Sequence, residues 1–279
     1  MVSSQRPLKL ARNALGIGLR PAHYQQIFAD HPPLDYFEII SENFMGDALP
    51  PAEKLDRILQ EYPVVMHGVG LNLLGHEVLR ADYLLRLKAL TDKVDPDFVS
   101  DHLCWSGAHG AHHHDLLPTP YTHDLISWAA ERAAEVQTLL QRPFALENLS
   151  SYVSFADSTM NEWEFYGAVV KEADCHFMLD INNIYVSSQN HGFDPIRYIE
   201  SIDFSRVSQV HIAGHQRQAD GSIIDTHDAP VTQAVWELYQ TAWSFGGPFP
   251  TLLEWDDQIP SLTDVIAELE KASLIRGGR

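Results

Sequence analysis

The segment Phe177–Asn183 reads FMLDINN, a short apolar run that leads into an aspartate and, after one isoleucine, two asparagines. Seven other segments contain the same kind of run, rich in Val, Ile, Leu and Phe, which is typical of parallel strands buried on both faces. The eight predicted strands are Leu15–Arg20, Tyr36–Ile40, Val64–Val69, Phe98–Leu103, Phe144–Leu149, Phe177–Ile181, Val207–Ile212 and Thr251–Trp255.

Amphipathic segments lie between these strands, as expected for helices that cover a sheet. The predicted helices are Pro51–Glu61, Leu79–Lys93, Thr122–Leu140, Asn161–Ala173, Pro195–Ser201, Val231–Trp243 and Leu262–Leu274. The alternation predicts an α/β fold, and eight βα units favour a closed barrel over an open sheet. We therefore expect a single (β/α)₈ TIM barrel in one domain, residues 1–279, with a barrel core over about residues 15–275. The segment Ser106–Pro120 is predicted to be a long loop of the kind that is often functional.

The balance of charges and cysteines narrows the class of protein. The chain has 19 basic and 38 acidic residues, a formal net charge of −19. Because nucleic-acid backbones are usually bound by a basic face, this composition disfavours a nucleic-acid partner. The two cysteines, Cys104 and Cys175, form no C-x-x-C motif, which favours a reducing compartment. No signal peptide or membrane-length apolar run is visible, so we expect a cytoplasmic protein without a membrane partner.

Acidic, imidazole and amide side chains recur where the predicted strands end. The carboxyl ends of barrel strands converge on one rim, which is where active sites of TIM barrels lie. A charged group there costs several kcal/mol, to order of magnitude, unless it is paired or binds a metal. The mixture of imidazole and carboxylate suits ions such as Fe, Zn or Mn, and nine side chains suit two or three ions rather than one. The predicted ligands are His67, His102, Glu147, Asp180, Asn183, His211, Asp225, His227 and Glu254.

The remaining polar residues near the strand ends receive other predictions. Asp101 precedes His102 and points to the opposite face of its strand, so we expect it to orient a ligand rather than to be one. Glu42 and Asn43 follow the second strand and are predicted to contact substrate or to support a ligand. Surface or packing positions are expected for His23, His31, His76, His176, His191 and His215. A solvated loop rather than a metal site is expected for His109, His112, His113 and His114.

The order of the nine predicted ligands resembles that of endonuclease IV, a member of the xylose-isomerase-like superfamily. In that nuclease, nine ligands hold three zinc ions. The one departure is Asn183, which stands where the nuclease has a histidine.

A closer resemblance is to the multinuclear non-haem iron-dependent oxidases, the family that includes the methanobactin biosynthesis oxidase. It runs from about Leu15 to Asp257, and Asn183 fits the pattern of this family. The phrases that carry it are GIGLR (16–20), FEIISENFMG (37–46), HGVGLNL (67–73), SDHLCWSG (100–107), LLPTPYT (116–122), ENLSSYV (147–153), LDINNIYV (179–186), HIAGH (211–215), DTHDAPV (225–231) and LLEWD (252–256).

The resemblance implies a specific chemistry. Family members hold two or three iron ions in mixed Fe(II) and Fe(III) states, use O₂ as co-substrate, and modify cysteines of ribosomally made precursor peptides. They usually work with a partner protein that presents the peptide. On this basis Glu147, His211 and Asp225 are the expected catalytic residues.

Three other functions remain open from the residues alone. A zinc-dependent phosphodiesterase of the endonuclease IV kind would use metal-activated water. A sugar isomerase or epimerase would need one or two divalent ions and no oxidant. A metal-storage or peptide-binding module would keep the ions without turnover.

Overall fold

The computed structural model of the chain describes residues 8–46, 51–108 and 111–277. Eight parallel strands close into a barrel, and each strand is hydrogen-bonded to the next one along the chain, with the last returning to the first. The strands are β1 (Leu15–Gly18), β2 (Tyr36–Ile40), β3 (Val64–Gly68), β4 (Val99–His102), β5 (Phe144–Glu147), β6 (His176–Asp180), β7 (Val207–Ile212) and β8 (Thr251–Leu253). The predicted TIM barrel is therefore confirmed.

Helices surround the barrel and follow its strands. They are α1 (Tyr24–Asp30), α2 (Pro51–Glu61), α3 (Ala81–Val94), α4 (His123–Leu140), α5 (Glu162–Glu172), α6 (Ile181–His191), α7 (Pro195–Ser201), α8 (Gln233–Gly246) and α9 (Leu262–Ile275). Short 3₁₀ turns occur at Pro21–His23, Ser41–Phe44 and Phe204–Arg206. None of the described helices has both the length and the apolar character needed to cross a lipid bilayer.

The prediction that the sixth strand continues to Ile181 was wrong. Strand β6 stops at Asp180, and α6 starts at the next residue without a connecting loop. The cause is local, because the Asp180 side chain accepts a hydrogen bond from the backbone N–H of Asn183 and so caps the helix. Asn183 consequently lies in the first turn of a helix rather than at the end of a strand.

The prediction of a loop over Ser106–Pro120 was also wrong. Trp105–Ala108 and Ala111–Leu117 form an antiparallel hairpin. The two strands are joined by hydrogen bonds between their backbones, which do not require apolar and polar residues to alternate. The sequence therefore lacks the alternating pattern by which a half-buried strand is recognised. His109 lies outside the described residues, and His112, His113 and His114 are described only by their backbone in the second strand of this hairpin.

The lower interior of the barrel, near the N-terminal ends of the strands, is filled with apolar side chains. They are Ala14, Tyr36, Val65, Phe98, Ala145, Met178 and Leu252, and all are at most 1% exposed. Gly16 makes room for the Tyr36 ring, since a Cβ at this position would lie 2.7 Å from it. The lower interior is therefore a packed core, and the side chains that could carry chemistry are expected at the C-terminal rim, as in other TIM barrels.

Candidate metal centre

Six consecutive strands, β3 to β8, each place an acid or an imidazole within one residue of their C-terminal end. These residues are His67, His102, Glu147, Asp180, His211 and Glu254. Five of them are at most 7% exposed, and His102 is half-buried. The structure thus gathers six of the nine predicted ligands at the rim, as the closure of the barrel requires.

His67, His102 and Glu147 form a first donor group. The Nε2 atoms of His67 and His102 lie 3.1 and 3.0 Å from the same oxygen, Oε2 of Glu147. The two rings are close, with centroids 4.6 Å apart. All three ligand atoms fall within 4.8 Å of one another, which is a spacing that one metal ion can bridge.

The Nδ1 atoms of His67 and His102 each make a hydrogen bond, which leaves the Nε2 atoms free to bind a metal ion. His102 Nδ1 donates to the backbone oxygen of Gly68 at 3.1 Å. Ser100 Oγ donates its only hydrogen to the Met66 carbonyl at 3.2 Å, so it accepts from His67 Nδ1 at 3.0 Å. In the neutral rings both Nε2 atoms therefore carry a lone pair towards Glu147, as metal ligands do.

Glu147, Asp180, His211 and Glu254 form a second donor group, and their ligand atoms also lie within 4.8 Å of one another. His211 Nδ1 is 3.1 Å from Glu254 Oε2 and 3.7 Å from Glu147 Oε1. Glu147 belongs to both groups, with Oε2 facing the first and Oε1 facing the second. A carboxylate in this position can bridge two ions.

Glu38 contacts the Nε2 side of the His211 ring. The sequence analysis did not single out this residue. Its Oε2 lies 3.2 Å from His211 Nε2 and accepts a hydrogen bond from Gln209 Nε2 at 2.9 Å. With Nε2–H donated to this carboxylate, His211 presents Nδ1 to the second donor group. Such a carboxylate–imidazole pair fixes the orientation of a metal-binding ring and increases its basicity.

Asp225 and His227 come from the loop after β7 rather than from a strand end. Their side chains meet at 2.7 Å, between Asp225 Oδ1 and His227 Nε2. His227 adopts a left-handed backbone with φ of 47°, which is uncommon for a histidine and typical of strained functional positions. Its Nδ1 is 3.1 Å from Asp256 Oδ2, and His227, Glu254 and Asp256 form a third possible donor group. The sequence analysis missed Asp256, although it lies two residues after Glu254 in LLEWD.

Asp180 and Asn183 each keep one oxygen free. Asp180 Oδ1 caps α6, whereas Oδ2 is buried without a hydrogen-bond partner among the described residues. Asn183 Nδ2 donates to the Asn148 carbonyl at 3.0 Å, and its Oδ1 is likewise buried without a described partner. Helix geometry therefore leaves both side chains with an acceptor oxygen available.

Asn182 forms a hydrogen bond with Asp225, and His215 in turn contacts Asn182. Asn182 Nδ2 donates to Asp225 Oδ1 at 2.6 Å, and its Oδ1 lies 2.7 Å from His215 Nδ1. The His215 ring stacks on Tyr185 with centroids 5.2 Å apart. His215, expected to be a surface or packing residue, thus takes part in a polar chain that leads to a predicted ligand.

Asp101, Glu42 and Asn43 lie outside the donor groups. Asp101 accepts from the backbone N–H groups of His102 and Leu71, so it braces the main chain rather than an imidazole ring. Glu42 accepts from the Val69 amide at 2.9 Å and thereby supports the turn after β3. Asn43 is exposed on a 3₁₀ turn.

The distribution of charge at the rim favours the binding of cations. Burial alone would lower the pKa of His102, but the adjacent Glu147 carboxylate outweighs it and raises that pKa to about 9. Arg20 lies 4.0 Å from Glu254 and contacts Asp256, whereas no ion pair with Lys or Arg joins Glu147 or Asp180 among the described residues. Buried carboxylates without a partner are expensive, so protons or metal ions must compensate them.

The residues present fit a cluster of divalent or trivalent ions. Buried oxygens without a hydrogen-bond partner in the described part of the chain include Asp180 Oδ2 and Asn183 Oδ1. Such atoms are rare in native proteins unless a ligand completes them. Imidazole combined with carboxylate is a donor set for iron, zinc or manganese rather than for calcium.

The chain is similar to known proteins over nearly its whole length. The family described as "RiPP precursor modification enzyme MbnB/TglH/ChrH", in which RiPP denotes a ribosomally synthesised and post-translationally modified peptide, matches residues 14–276. A "UPF0276 protein" of Caulobacter vibrioides is 46% identical over 261 residues, which cover 93% of each chain. A second UPF0276 protein, from Acaryochloris marina, is 44% identical over 257 residues and 92% of each chain.

Solved structures share the architecture. A D-tagatose 3-epimerase-like protein superimposes with a TM-score of 0.62 at 14% identity, covering 95% of this chain and 98% of its own. A xylose isomerase-like TIM barrel protein from Mycobacterium smegmatis, in complex with magnesium, gives a TM-score of 0.59 at 13% identity, with 99% and 100% covered. At this level of identity the likeness extends to the fold alone. The family match and the relatives span nearly the whole barrel, and the chain belongs to the MbnB/TglH/ChrH family of RiPP precursor modification enzymes, built on a TIM barrel.

Proposed function

We propose that this protein is a multinuclear non-haem iron oxidase that uses O₂ to modify cysteine residues of a ribosomally made precursor peptide. Membership of the family supplies the peptide substrate class. The single observation that carries the multinuclear centre is the position of Glu147, whose two oxygens face two adjacent donor groups, and iron is the metal that the family resemblance implies. A shared carboxylate between two sets of imidazole and carboxylate donors suits at least two ions, whereas an epimerase needs only one or two and no oxidant.

His67, His102 and Glu147 would hold one ion, and Glu147, Asp180, His211 and Glu254 a second. Asn183, Asp225 and His227 offer donors for a third. Bound iron would supply the electron transfer to O₂ and would favour the thiolate form of a substrate cysteine. The protein's own contribution is to keep the imidazole lone pairs aimed at the ions, through Ser100, the Gly68 carbonyl and Glu38.

Asp225 is the proposed catalytic residue on the open side of the centre. Its side chain is 13% exposed, whereas those of Glu147 and His211 are at most 2% exposed. A peptide that approaches the rim therefore meets the loop of Asp225 and His227 before the buried donors. Glu147 and His211 are proposed to act from below, by holding the ions in place.

A partner protein that presents the peptide is also part of the proposal. The net charge of −19 suits a partner or peptide with basic segments. Affinity purification of the tagged chain, co-expressed with the proteins encoded beside it, tests this point. A stable complex with one neighbour is expected, and modification by the isolated chain at an equal rate contradicts the need for a partner.

Metal analysis after anaerobic purification tests the proposed function. We expect two or three iron ions per chain, a visible ferric absorption band after exposure to air, and O₂ consumption when a cysteine-containing precursor is added. Mass spectrometry of the co-expressed peptide should show loss of hydrogens or of a carbon fragment. Colourless protein with stoichiometric zinc from iron-rich medium, and a peptide of unchanged mass, would overturn the proposal in favour of a hydrolytic zinc enzyme.

A further inference from the structure

A pocket lies near the candidate metal centre and is lined mainly by the segment that follows β5. It encloses about 270 Å³ between the loop of residues 151–161, the start of α5, and His191 and Phe193 at the end of α6. This volume is just below the range of about 300–1,000 Å³ found for pockets that take drug-sized ligands. The pocket therefore has the size of a site for one long side chain.

Glu162, the first residue of α5, is one of the residues that line this pocket. Tyr198, which is fully buried, donates a hydrogen bond to Glu162 Oε1 at 2.9 Å. Among the described residues, no Lys, Arg or His forms an ion pair with Glu162. Burial raises its pKa to about 7, as expected for a carboxyl group that has no counter-charge among the described residues.

Aromatic rings line the same pocket as Glu162. Tyr121, Trp163 and Phe193 line the pocket, and Trp163 lies 5.3 Å from Phe193 between ring centroids. Trp163 also lies 5.6 Å from the ring of Tyr198. Aromatic faces attract cations, and the attraction increases when the cation is removed from water. A carboxylate within aromatic walls is the chemistry of a site for an ammonium or guanidinium group.

A residue of the loop that lines the pocket contacts the loop of the predicted ligand Asp225. Tyr152, next to the pocket residue Ser151, accepts a hydrogen bond at its hydroxyl from the backbone N–H of Asp225 at 3.0 Å. Tyr152, Val153 and Phe155 are 46%, 51% and 38% exposed, which is high for large apolar side chains. These three side chains provide exposed apolar surface on the loop that reaches from the pocket to Asp225.

We propose that this pocket binds a lysine or arginine side chain of the precursor peptide and so positions a neighbouring cysteine at the metal centre. The inference rests on the proposed peptide substrate and extends it to a basic residue close to the modified one. Charge complementarity supports this occupant, because a cation compensates the Glu162 carboxylate and the chain as a whole carries −19. An uncharged aliphatic side chain would fill the same volume but would leave the Glu162 carboxylate without a counter-charge.

Titration of the purified full chain with two small probes tests the proposal. The probes are N-acetyl-lysine methylamide and its uncharged analogue N-acetyl-norleucine methylamide, followed by ligand-observed NMR. We expect the lysine probe to bind at least about tenfold more tightly than the norleucine probe, because a compensated buried charge contributes over 1.4 kcal/mol. Glu162→Gln should abolish this preference, and the matched variant Glu172→Gln, exposed at the end of the same helix, should retain it.

The variants separate this inference from the proposed function. Gln at position 162 can still accept the Tyr198 hydroxyl, so α5 should fold, and Phe193→Leu gives an independent probe of the aromatic wall with an expected loss of at least about threefold. Glu147→Gln, which disrupts the metal centre, should leave lysine-probe binding unchanged. Equal binding of both probes, binding of neither, or an unaltered lysine preference in Glu162→Gln would overturn the proposal whether or not the protein is an iron oxidase.

Discussion

Two layers of side chains fill the same barrel, and they differ in chemistry although the same strands supply both. The lower layer contains Tyr36, Val65, Ala145, Met178 and Leu252. Two residues further along the same strands stand Glu38, His67, Glu147, Asp180 and Glu254. A step of two residues returns to the same face of a strand, so both sets point into the barrel. Packing and chemistry are thus separated along each strand, and each can be disrupted without the other.

The largest effect is expected from Glu147→Gln in the upper layer. This change keeps the shape of the side chain but removes the charge that two donor groups share. We expect loss of at least one metal ion per chain and a fall in peptide modification of about 10³-fold or more, because metal ions supply several kcal/mol of transition-state stabilisation. Metal analysis and a peptide mass assay measure this, with Glu172→Gln as control. Retention of all metal and of turnover would remove Glu147 from the centre.

Phe98→Ala tests the lower layer. Phe98 is fully buried, and truncation of such a ring costs about 3–5 kcal/mol. The urea midpoint should fall accordingly, and Phe98→Leu should lose less stability because it leaves a smaller void. At low temperature, metal content per folded chain should stay at the wild-type value. A loss of metal without a loss of stability would show that the two layers are not separable.

Glu38→Gln examines a contact within the upper layer, between Glu38 and His211. Removal of its charge weakens the hold on His211 Nε2, and substitutions of residues that orient a metal ligand typically cost 10–100-fold in metal affinity. Because Glu38 and His211 are both buried, we expect a loss towards about 100-fold, measured by competition with a chelator. A loss as complete as that in Glu147→Gln would instead place Glu38 among the ligands.

Asn182→Ala should have the smallest effect. It removes the amide that donates to Asp225 and separates His215 from this ligand. Since Asp225 is partly exposed, water can replace the lost donor, and we expect only about a tenfold decrease in metal affinity. The same chelator competition measures it, and His215→Gln should weaken binding less. An unchanged affinity in Asn182→Ala would mean that the chain behind Asp225 has no part in the centre.

The barrel and its rim could be predicted because one simple rule governs both. Parallel strands buried on two faces read as apolar runs, and an acid or imidazole at the end of such a run must lie at the mouth of a closed barrel. His67, His102, Glu147, Asp180, His211 and Glu254 follow this rule, and the structure brings them together. Their role as metal ligands is still a prediction that metal analysis must test.

Other features depend on information that apolar runs do not contain. Glu38 was missed because it lies inside the strand YFEII, although alternation places it on the same face as Tyr36. Asp256 was missed because it follows a strand by a few residues and reaches the site only through the left-handed turn at His227. The pairing of Trp105–Ala108 with Ala111–Leu117 depends on backbone hydrogen bonds, for which the histidine-rich sequence gives no alternating pattern.

The cap at the start of α6 has a consequence for how the centre can respond to substrate. One oxygen of Asp180 is tied to the backbone of a helix, and only the other is free, so this residue can point at an ion in a single direction. Glu147 and Glu254 have a longer side chain with one more rotatable bond and no such tether to a helix. In the proposed centre, a change of donors on peptide binding would therefore fall to the two glutamates, whereas Asp180 would keep a fixed direction because its other oxygen caps α6.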